Sequence, residues 1–127
     1  MQVALYEAGK PQCWSRPRAT IRGGKVAMYD PKAENRRQAG LNWQKEIGEP
    51  LRGAVSIDVH YKFAIKDKSK WGKCKTSRAD LDNLIKHTLD SLNGVAYFDD
   101  AQVCRVSCLK TWEELDGTRI IIRQIQE

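Results

Sequence analysis

The strongest pattern in the chain is an unbroken alternation. Val55, Ile57, Val59, Tyr61, Phe63 and Ile65 are apolar, and the residues between them are polar or small. Successive side chains of an extended chain point to opposite faces, so this pattern predicts a strand with one buried face. Val3 and Leu5 predict a shorter strand near the start. Cys104, Val106 and Cys108, then Ile120 and Ile122, predict two more, joined as a hairpin by the turn-forming pair Asp116-Gly117. The period changes to that of a helix over Leu81, Leu84, Ile85, Leu89 and Leu92. Ser77 or Asp80 caps this helix, and Asn93-Gly94 is a natural left-handed stop. Asp30 followed by Pro31 opens another helix, running from Pro31 to about Ile47 and closed by Pro50, with Gly40 weakening its middle. Residues 10–25, KPQCWSRPRATIRGGK, predict a basic arm, because prolines and a glycine pair interrupt either period. The order is β, arm, α, β, basic loop, α, β-hairpin. It predicts an α+β fold: one domain over residues 1–127, a mixed sheet with two main helices packed on one side.

Composition adds little to that picture and charge adds more. A chain of 127 residues is long enough for a core that needs no disulfides. No apolar run approaches the ~20 residues of a membrane span, and the opening MQVALYEAGKPQ lacks a secretory signal, so a cytoplasmic protein with no membrane association is expected. Twenty-two Lys and Arg against sixteen Asp and Glu give a net charge of +6, which suits a polyanionic partner such as nucleic acid. The positive charge is clustered. The arm holds Lys10, Arg16, Arg18, Arg22 and Lys25 without an acid, and the loop from Lys66 to Arg78 holds Lys66, Lys68, Lys70, Lys73, Lys75 and Arg78 with Asp67 alone. Charge runs are usually solvated surface. The position of this loop just before an acidic motif favours phosphate contact instead, so Arg16, Arg18, Lys68, Lys70, Lys73, Lys75 and Arg78 are the candidate DNA-binding residues. Trp14 and Trp71 lie within the basic segments and are candidates for stacking on bases, with burial in the core the competing use for all four tryptophans.

Cys13, Cys74, Cys104 and Cys108 form no close pair of the kind zinc needs, and are read as reduced structural residues; Cys104 and Cys108 share a strand face beside Val106 and are expected in the core. His60 and His87 have no neighbours at ligand spacing and are read as structural, although His87, placed on the polar side of the helix, is within reach of a phosphate. No glycine-rich nucleotide fold is present, which excludes a nucleotide-sugar transferase built on D-x-D and predicts no small-molecule cofactor.

A basic chain that gathers its acids in one stretch calls for an explanation. Asp80, Asp82, Asp90, Asp99 and Asp100 fall within 21 residues. At ~100° per residue, Asp82, Lys86 and Asp90 share the polar side of the helix, and Asp80 stands at its start. Acids there complement the helix dipole, and Asp82 with Lys86 makes a surface pair worth only ~0.3–0.5 kcal/mol. A strand returning beside the helix would bring Asp100 back to Asp80 and Asp82, and three converging carboxylates need a cation among them. Hard oxygen ligands of this kind suit Mg²⁺, with Mn²⁺ as a substitute. Lys86 would then stabilise charge developing on a phosphodiester under attack.

Residues 78–103, RADLDNLIKHTLDSLNGVAYFDDAQV, read D-x-D-N-L-x-K, then a helix with a later Asp, then D-D-x-Q-[IV]. This segment resembles the signature of the RusA family of Holliday-junction resolvases, small endonucleases of bacteria and their phages. GKPQCWSRPR (9–18) and MYDPKA (28–33) resemble the start of phage-borne members. The resemblance implies that Asp80, Asp82 and Asp100 are metal-binding catalytic aspartates and Lys86 the catalytic lysine, with Asp99 and Asp90 matching acids of less definite role. It further implies a Mg²⁺- or Mn²⁺-dependent homodimer acting in recombination and repair. Such a dimer nicks two opposed strands of a four-way DNA junction and leaves 5′-phosphate ends. The competing reading is a non-catalytic basic DNA-binding module whose acids are helix caps.

Overall fold

A computed structural model describes residues 2–13, 18–22, 25–29, 43 and 47–126. Among these the chain forms strands β1 (Gln2–Ala8), β2 (Arg18–Arg22), β3 (Lys25–Tyr29), β4 (Val55–Ala64), β5 (Val103–Glu113) and β6 (Gly117–Gln124). One α-helix, α1 (Leu81–Leu92), is accompanied by two short 3₁₀ turns, Lys68–Lys70 and Asp100–Gln102. Four strands make a mixed sheet in the order β1-β6-β4-β5, with β4 and β5 parallel and the other pairs antiparallel. Parallel neighbours need a crossover connection, and α1 lies within it.

The alternation of β4 is realised in full: Val55, Ile57, Val59, Tyr61 and Phe63 are buried, and the residues between them are not. The buried side meets Leu84 and Leu92 of α1 and Ile120 and Ile122 of β6 in one core, joined by Leu5, Trp43, Ile47, Leu51, Ala96 and Tyr97. At 25 cal/mol per Å², each such side chain contributes about 1.5–3 kcal/mol when fully removed from water. A polar bond fixes the helix on the sheet. The Tyr61 hydroxyl lies 2.7 Å from the Thr88 hydroxyl, which donates in turn to the Leu84 carbonyl at 3.1 Å. Burial pushes the Tyr61 phenol well above its ordinary value. The helix also ends as expected, with Gly94 in the left-handed region at φ +77°.

Four expectations are corrected. The described residues contain a mixed sheet with a single major helix and two 3₁₀ turns, not two main helices. The segment expected to form the other helix, 31–47, lies outside the described residues except for Trp43 and Ile47, both of which are buried. Second, β5 and β6 do not form a hairpin, because β4 lies between them. The short connection crosses the end of β4, where the Ile65 N–H donates to the Glu113 carbonyl at 3.0 Å and the Ala64 N–H to the Asp116 carboxylate at 2.8 Å. Apolar content explains the order. Ile120 and Ile122 are fully buried and belong in an interior strand, whereas β5 exposes Val106 and Leu109 and lies at the edge. Third, the edge position leaves Cys104 exposed rather than in the core, while Cys108 is half-buried and packs against it. Fourth, the end of the basic arm is not without regular structure: its strand β2 pairs antiparallel with the following β3, in the register Arg18↔Tyr29 to Arg22↔Lys25. The intervening pair Gly23-Gly24 is the composition that two-residue hairpins favour, a signal that reading the segment as structureless passed over.

Candidate active site

Asp80 occupies the N-cap of α1 with extended backbone, φ −68° and ψ 136°, yet its side chain makes no capping hydrogen bond. An aspartate at this position ordinarily accepts from the first free N–H groups and adds about 1 kcal/mol. Here the carboxylate is exposed and unspent. Asp82, in the first turn, is likewise exposed and forms no hydrogen bond or ion pair among the described residues. Both sit at the positive end of the helix dipole. Lys86 is exposed one turn further along the same side.

The approach to Asp80 is unusual. Ala79 has φ +79°, the one non-glycine residue in the left-handed region among those described, at a cost of about 1–2 kcal/mol. The ammonium of Lys110, on β5, donates to the carbonyls of Ser77 at 2.7 Å and Ala79 at 2.8 Å. That of Lys75 donates to the Arg78 carbonyl and to the Ser77 hydroxyl, the latter at 3.2 Å. Three consecutive carbonyls thus meet two cations immediately before the N-cap.

Asp99 and Asp100 are held by a different device. The amide oxygen of Gln102 accepts from the backbone N–H groups of Phe98 at 2.8 Å and Asp99 at 3.0 Å, while its nitrogen donates to the carbonyls of Leu51 at 3.0 Å and Gly53 at 2.9 Å. One side chain satisfies its full hydrogen-bonding capacity and ties the acidic turn to the loop before β4. Tyr97, just ahead, is buried and donates to the Leu89 carbonyl at 2.9 Å. Burial raises its phenol first, and the negative charges of Asp100, Asp90 and Asp99 add to that effect. Asp80 and Asp82 belong to the start of α1, and Asp99 and Asp100 to the turn that follows it.

No group of three or more His, Cys, Asp or Glu side chains among the described residues is gathered closely enough to hold a metal ion. The close convergence of Asp80, Asp82 and Asp100 expected from the sequence is not formed within them. What is present is a pair of unspent carboxylates at the N-terminus of α1 and a second acidic group near its C-terminus. As a donor set, two exposed carboxylates two residues apart fit a hard, oxygen-loving cation, because Mg²⁺ commonly takes one or two carboxylates and completes its shell with water and phosphate.

The basic loop is more ordered than its composition suggests. Asp67 caps the 3₁₀ turn, its carboxylate accepting from the Ser69 N–H at 3.1 Å and the Ser69 hydroxyl at 2.7 Å. Beyond it the chain runs back beside β5, with Gly72 donating to the Trp112 carbonyl at 2.8 Å, Trp112 to the Lys73 carbonyl at 3.0 Å and Lys75 to the Lys110 carbonyl at 3.1 Å. This pairing displays Lys68, Lys70, Lys73 and Arg78 to solvent. Lys75 turns the other way. It is 8% exposed, with its ammonium 4.9 Å from the Phe63 ring centroid and 5.0 Å from that of Trp112. Burial, then the nearby Lys110 charge, lower its proton affinity. Trp71 closes the loop through its indole N–H, which donates to the Ile65 carbonyl at 2.9 Å. Trp43 is core, Trp112 packs against it, and Trp14 and Arg16 lie outside the described residues. Arg18 is placed as backbone in β2. His60 contacts the Thr111 hydroxyl at 2.7 Å, and His87 is buried on α1 rather than standing on its polar side.

Sequence reasoning missed Lys110 and the role of Gln102. The first gives no signal, being a single lysine in a strand. The second did give one: Asp99 and Gln102 have the spacing of a capping box.

Comparison with known proteins agrees with these two motifs. The model of the family described as endodeoxyribonuclease RusA matches residues 8–123. The chain is 34% identical over 110 residues to the crossover junction endodeoxyribonuclease rusA of Lactococcus phage r1t, covering 80% of this chain and 81% of that one. It is 33% identical over 131 residues to an uncharacterized protein, YqaN, of Bacillus subtilis strain 168, covering 92% of each. With the D-x-D-N-L-x-K helix and the D-D-x-Q turn both inside the matched span, the chain belongs to the endodeoxyribonuclease RusA family.

Proposed function

We propose that this protein is a divalent-metal-dependent endonuclease that hydrolyses phosphodiesters at four-way DNA junctions. The observation that carries the reading is the unspent N-cap: Asp80 stands where a cap belongs and makes no capping bond, beside an equally uncommitted Asp82. Two exposed carboxylates without a hydrogen-bond partner, in a chain of net charge +6, are explained by a cation that joins them to phosphate. Asp80 and Asp82 would hold Mg²⁺ or Mn²⁺, and Asp100 is the third acid assigned to the site through the family motif. When bound, the cation supplies Lewis-acid polarisation of the scissile phosphate. The chain's own residues supply the rest. Lys68, Lys70, Lys73 and Arg78 attract the DNA backbone, and Lys86 faces the charge that builds on the phosphoryl oxygens during hydrolysis. A four-way junction presents two equivalent strands, so a two-fold homodimer matches its symmetry.

The experiment is incubation of a labelled synthetic junction with the protein, with and without Mg²⁺. Paired nicks that require the metal, and their loss in Asp82→Asn with junction binding kept or tightened, are the expected results. Normal incision by Asp82→Asn overturns the site assignment. Binding without metal-dependent cleavage by the parent protein supports the competing reading, a DNA-binding module whose acids are helix caps. The missing cap bond at Asp80 speaks against that alternative.

A further inference from the structure

Two lysines outside the motif converge on the three residues that precede it. Lys75 and Lys110 are backbone neighbours, the Lys75 N–H donating to the Lys110 carbonyl at 3.1 Å, and this pairing sends both side chains to one side. There the carbonyls of Ser77, Arg78 and Ala79 receive them. Like charges held this close repel, and a lysine buried to 8% exposure loses hydration. The lysine pair is therefore accounted for by what it contacts: the rings of Phe63 and Trp112 around one ammonium, and the carbonyls of Ser77, Arg78 and the left-handed Ala79 around both. The next residue is the one whose carboxylate opens the D-x-D motif.

We infer that Lys75 and Lys110 form a positioning clamp, which fixes the backbone of Ser77–Ala79, holds Ala79 in the left-handed region and thereby sets where the Asp80 carboxylate points. Neither lysine is assigned contact with substrate or metal. The inference rests on the nuclease reading and adds to it a support for the first metal ligand. It also separates Lys75 from the DNA-contacting set, because an ammonium enclosed by two rings and a carbonyl is not free to reach phosphate.

The test uses the full chain and four variants, Lys110→Met, Lys110→Arg, Lys75→Met and Ala79→Gly combined with Lys110→Met. Mn²⁺ affinity is read by electron paramagnetic resonance of the free ion, without DNA. Single-turnover cleavage of a synthetic junction is then measured across junction concentrations in Mg²⁺. Loss of an outer-shell support of this type costs about 10- to 100-fold in metal affinity or activity. Lys110→Met is expected to weaken Mn²⁺ binding within that range and to slow cleavage at saturating junction, with the junction concentration for half-maximal rate unchanged. Lys75→Met is expected to behave alike. Lys110→Arg retains donors to the carbonyls and should recover most of the loss. Ala79→Gly should recover part of it, since glycine adopts positive φ without the clamp. A Lys110→Met or Lys75→Met protein that is folded and binds Mn²⁺ as the parent does overturns the clamp. So does a variant whose half-maximal junction concentration rises while its saturated rate holds, which identifies a phosphate contact. Should both methionine variants fail to fold, the clamp stands or falls on whether Lys110→Arg keeps parental Mn²⁺ affinity. If the parent protein itself neither binds Mn²⁺ nor cuts, the nuclease reading fails and the clamp with it. A parent that does both, beside unaffected variants, removes the clamp alone.

Discussion

The side-chain oxygen of Gln102 accepts the backbone N–H of Asp99 at 3.0 Å, and the same amide reaches across to the carbonyls of Leu51 and Gly53. An acidic turn is thereby tied to a loop some fifty residues earlier by one neutral side chain. Gln102 makes this tie without adding charge beside Asp99 and Asp100.

Replacing Gln102 by Ala leaves two N–H groups and two carbonyls to find other partners. Each buried group left unsatisfied costs about 1–3 kcal/mol, and exposed groups recover much of that from water. A loss of about 1–2 kcal/mol in denaturant unfolding is expected, with junction cleavage reduced at least about tenfold by misplacement of Asp100. Junction affinity should hold, since backbone groups already take the full hydrogen-bonding capacity of the Gln102 amide. Gln102→Glu retains an acceptor but no donor, and should lie between the parent and Gln102→Ala in stability.

The bond between Tyr61 and Thr88 makes a separate prediction. Because the Thr88 hydroxyl donates to the Leu84 carbonyl, the Tyr61 hydroxyl is the donor in the 2.7 Å contact. Tyr61→Phe keeps the ring and removes that donor, and should cost about 0.5–1.5 kcal/mol in unfolding free energy. Tyr61→Ala, which empties a fully buried ring site, should cost about 3–5 kcal/mol. Equal losses in the two variants would mean that the hydroxyl, not the ring, anchors α1.

Periodicity made the centre of the fold legible and left its edges unread. The β4 alternation and the α1 spacing each reflect one buried face, and both elements stand where their apolar residues placed them. Asp116-Gly117 misled because a turn sequence says that the chain reverses and not which strand lies beyond it. The partner was decided by the burial of Ile120 and Ile122, which required an interior strand between β1 and β4. Cys104 of β5 misled for the same reason, since alternation does not distinguish an edge strand from a central one. In the candidate site the D-x-D-N-L-x-K and D-D-x-Q motifs were readable because each is contiguous in the sequence, and the family match spans both. Lys110 was not, because its partners are some thirty residues away and a single lysine in a strand has no pattern.

The basic loop divides by direction, and salt dependence measures the division. Each phosphate contact contributes about −0.9 to the slope of log binding constant against log salt concentration. Lys68→Ala, Lys70→Ala and Lys73→Ala, exposed positions, should each flatten the slope for junction binding by up to about that amount. Lys75→Met should leave the slope unchanged, since its ammonium faces Phe63 and Trp112. Titrations between low and physiological salt, under metal-free conditions so that cleavage does not intervene, read the difference directly.

On the sheet face opposite α1, His60 introduces a pH dependence of stability. Its Nε2 lies 2.7 Å from the Thr111 hydroxyl and 4.0 Å from the Glu113 carboxylate. Burial lowers its affinity for a proton, the Lys62 and Arg119 charges lower it further, and the Glu113 carboxylate opposes them. The folded imidazole thus titrates below its ordinary value of 6.5, while in the unfolded chain it titrates near it. The unfolded state then binds the proton more readily, and stability from this group is present above pH 6.5 and lost as pH falls through the folded value. His60→Gln, a neutral side chain that can still meet Thr111, should flatten unfolding stability between pH 7 and about 5. Carboxylates contribute to any slope below that interval, and His87 is common to both proteins. Denaturant midpoints at pH 8, 6.5 and 5 for parent and variant isolate the His60 share. If the parent is more stable at pH 5 than at pH 8 and His60→Gln abolishes the gain, the Glu113 carboxylate governs this imidazole and the sign is reversed.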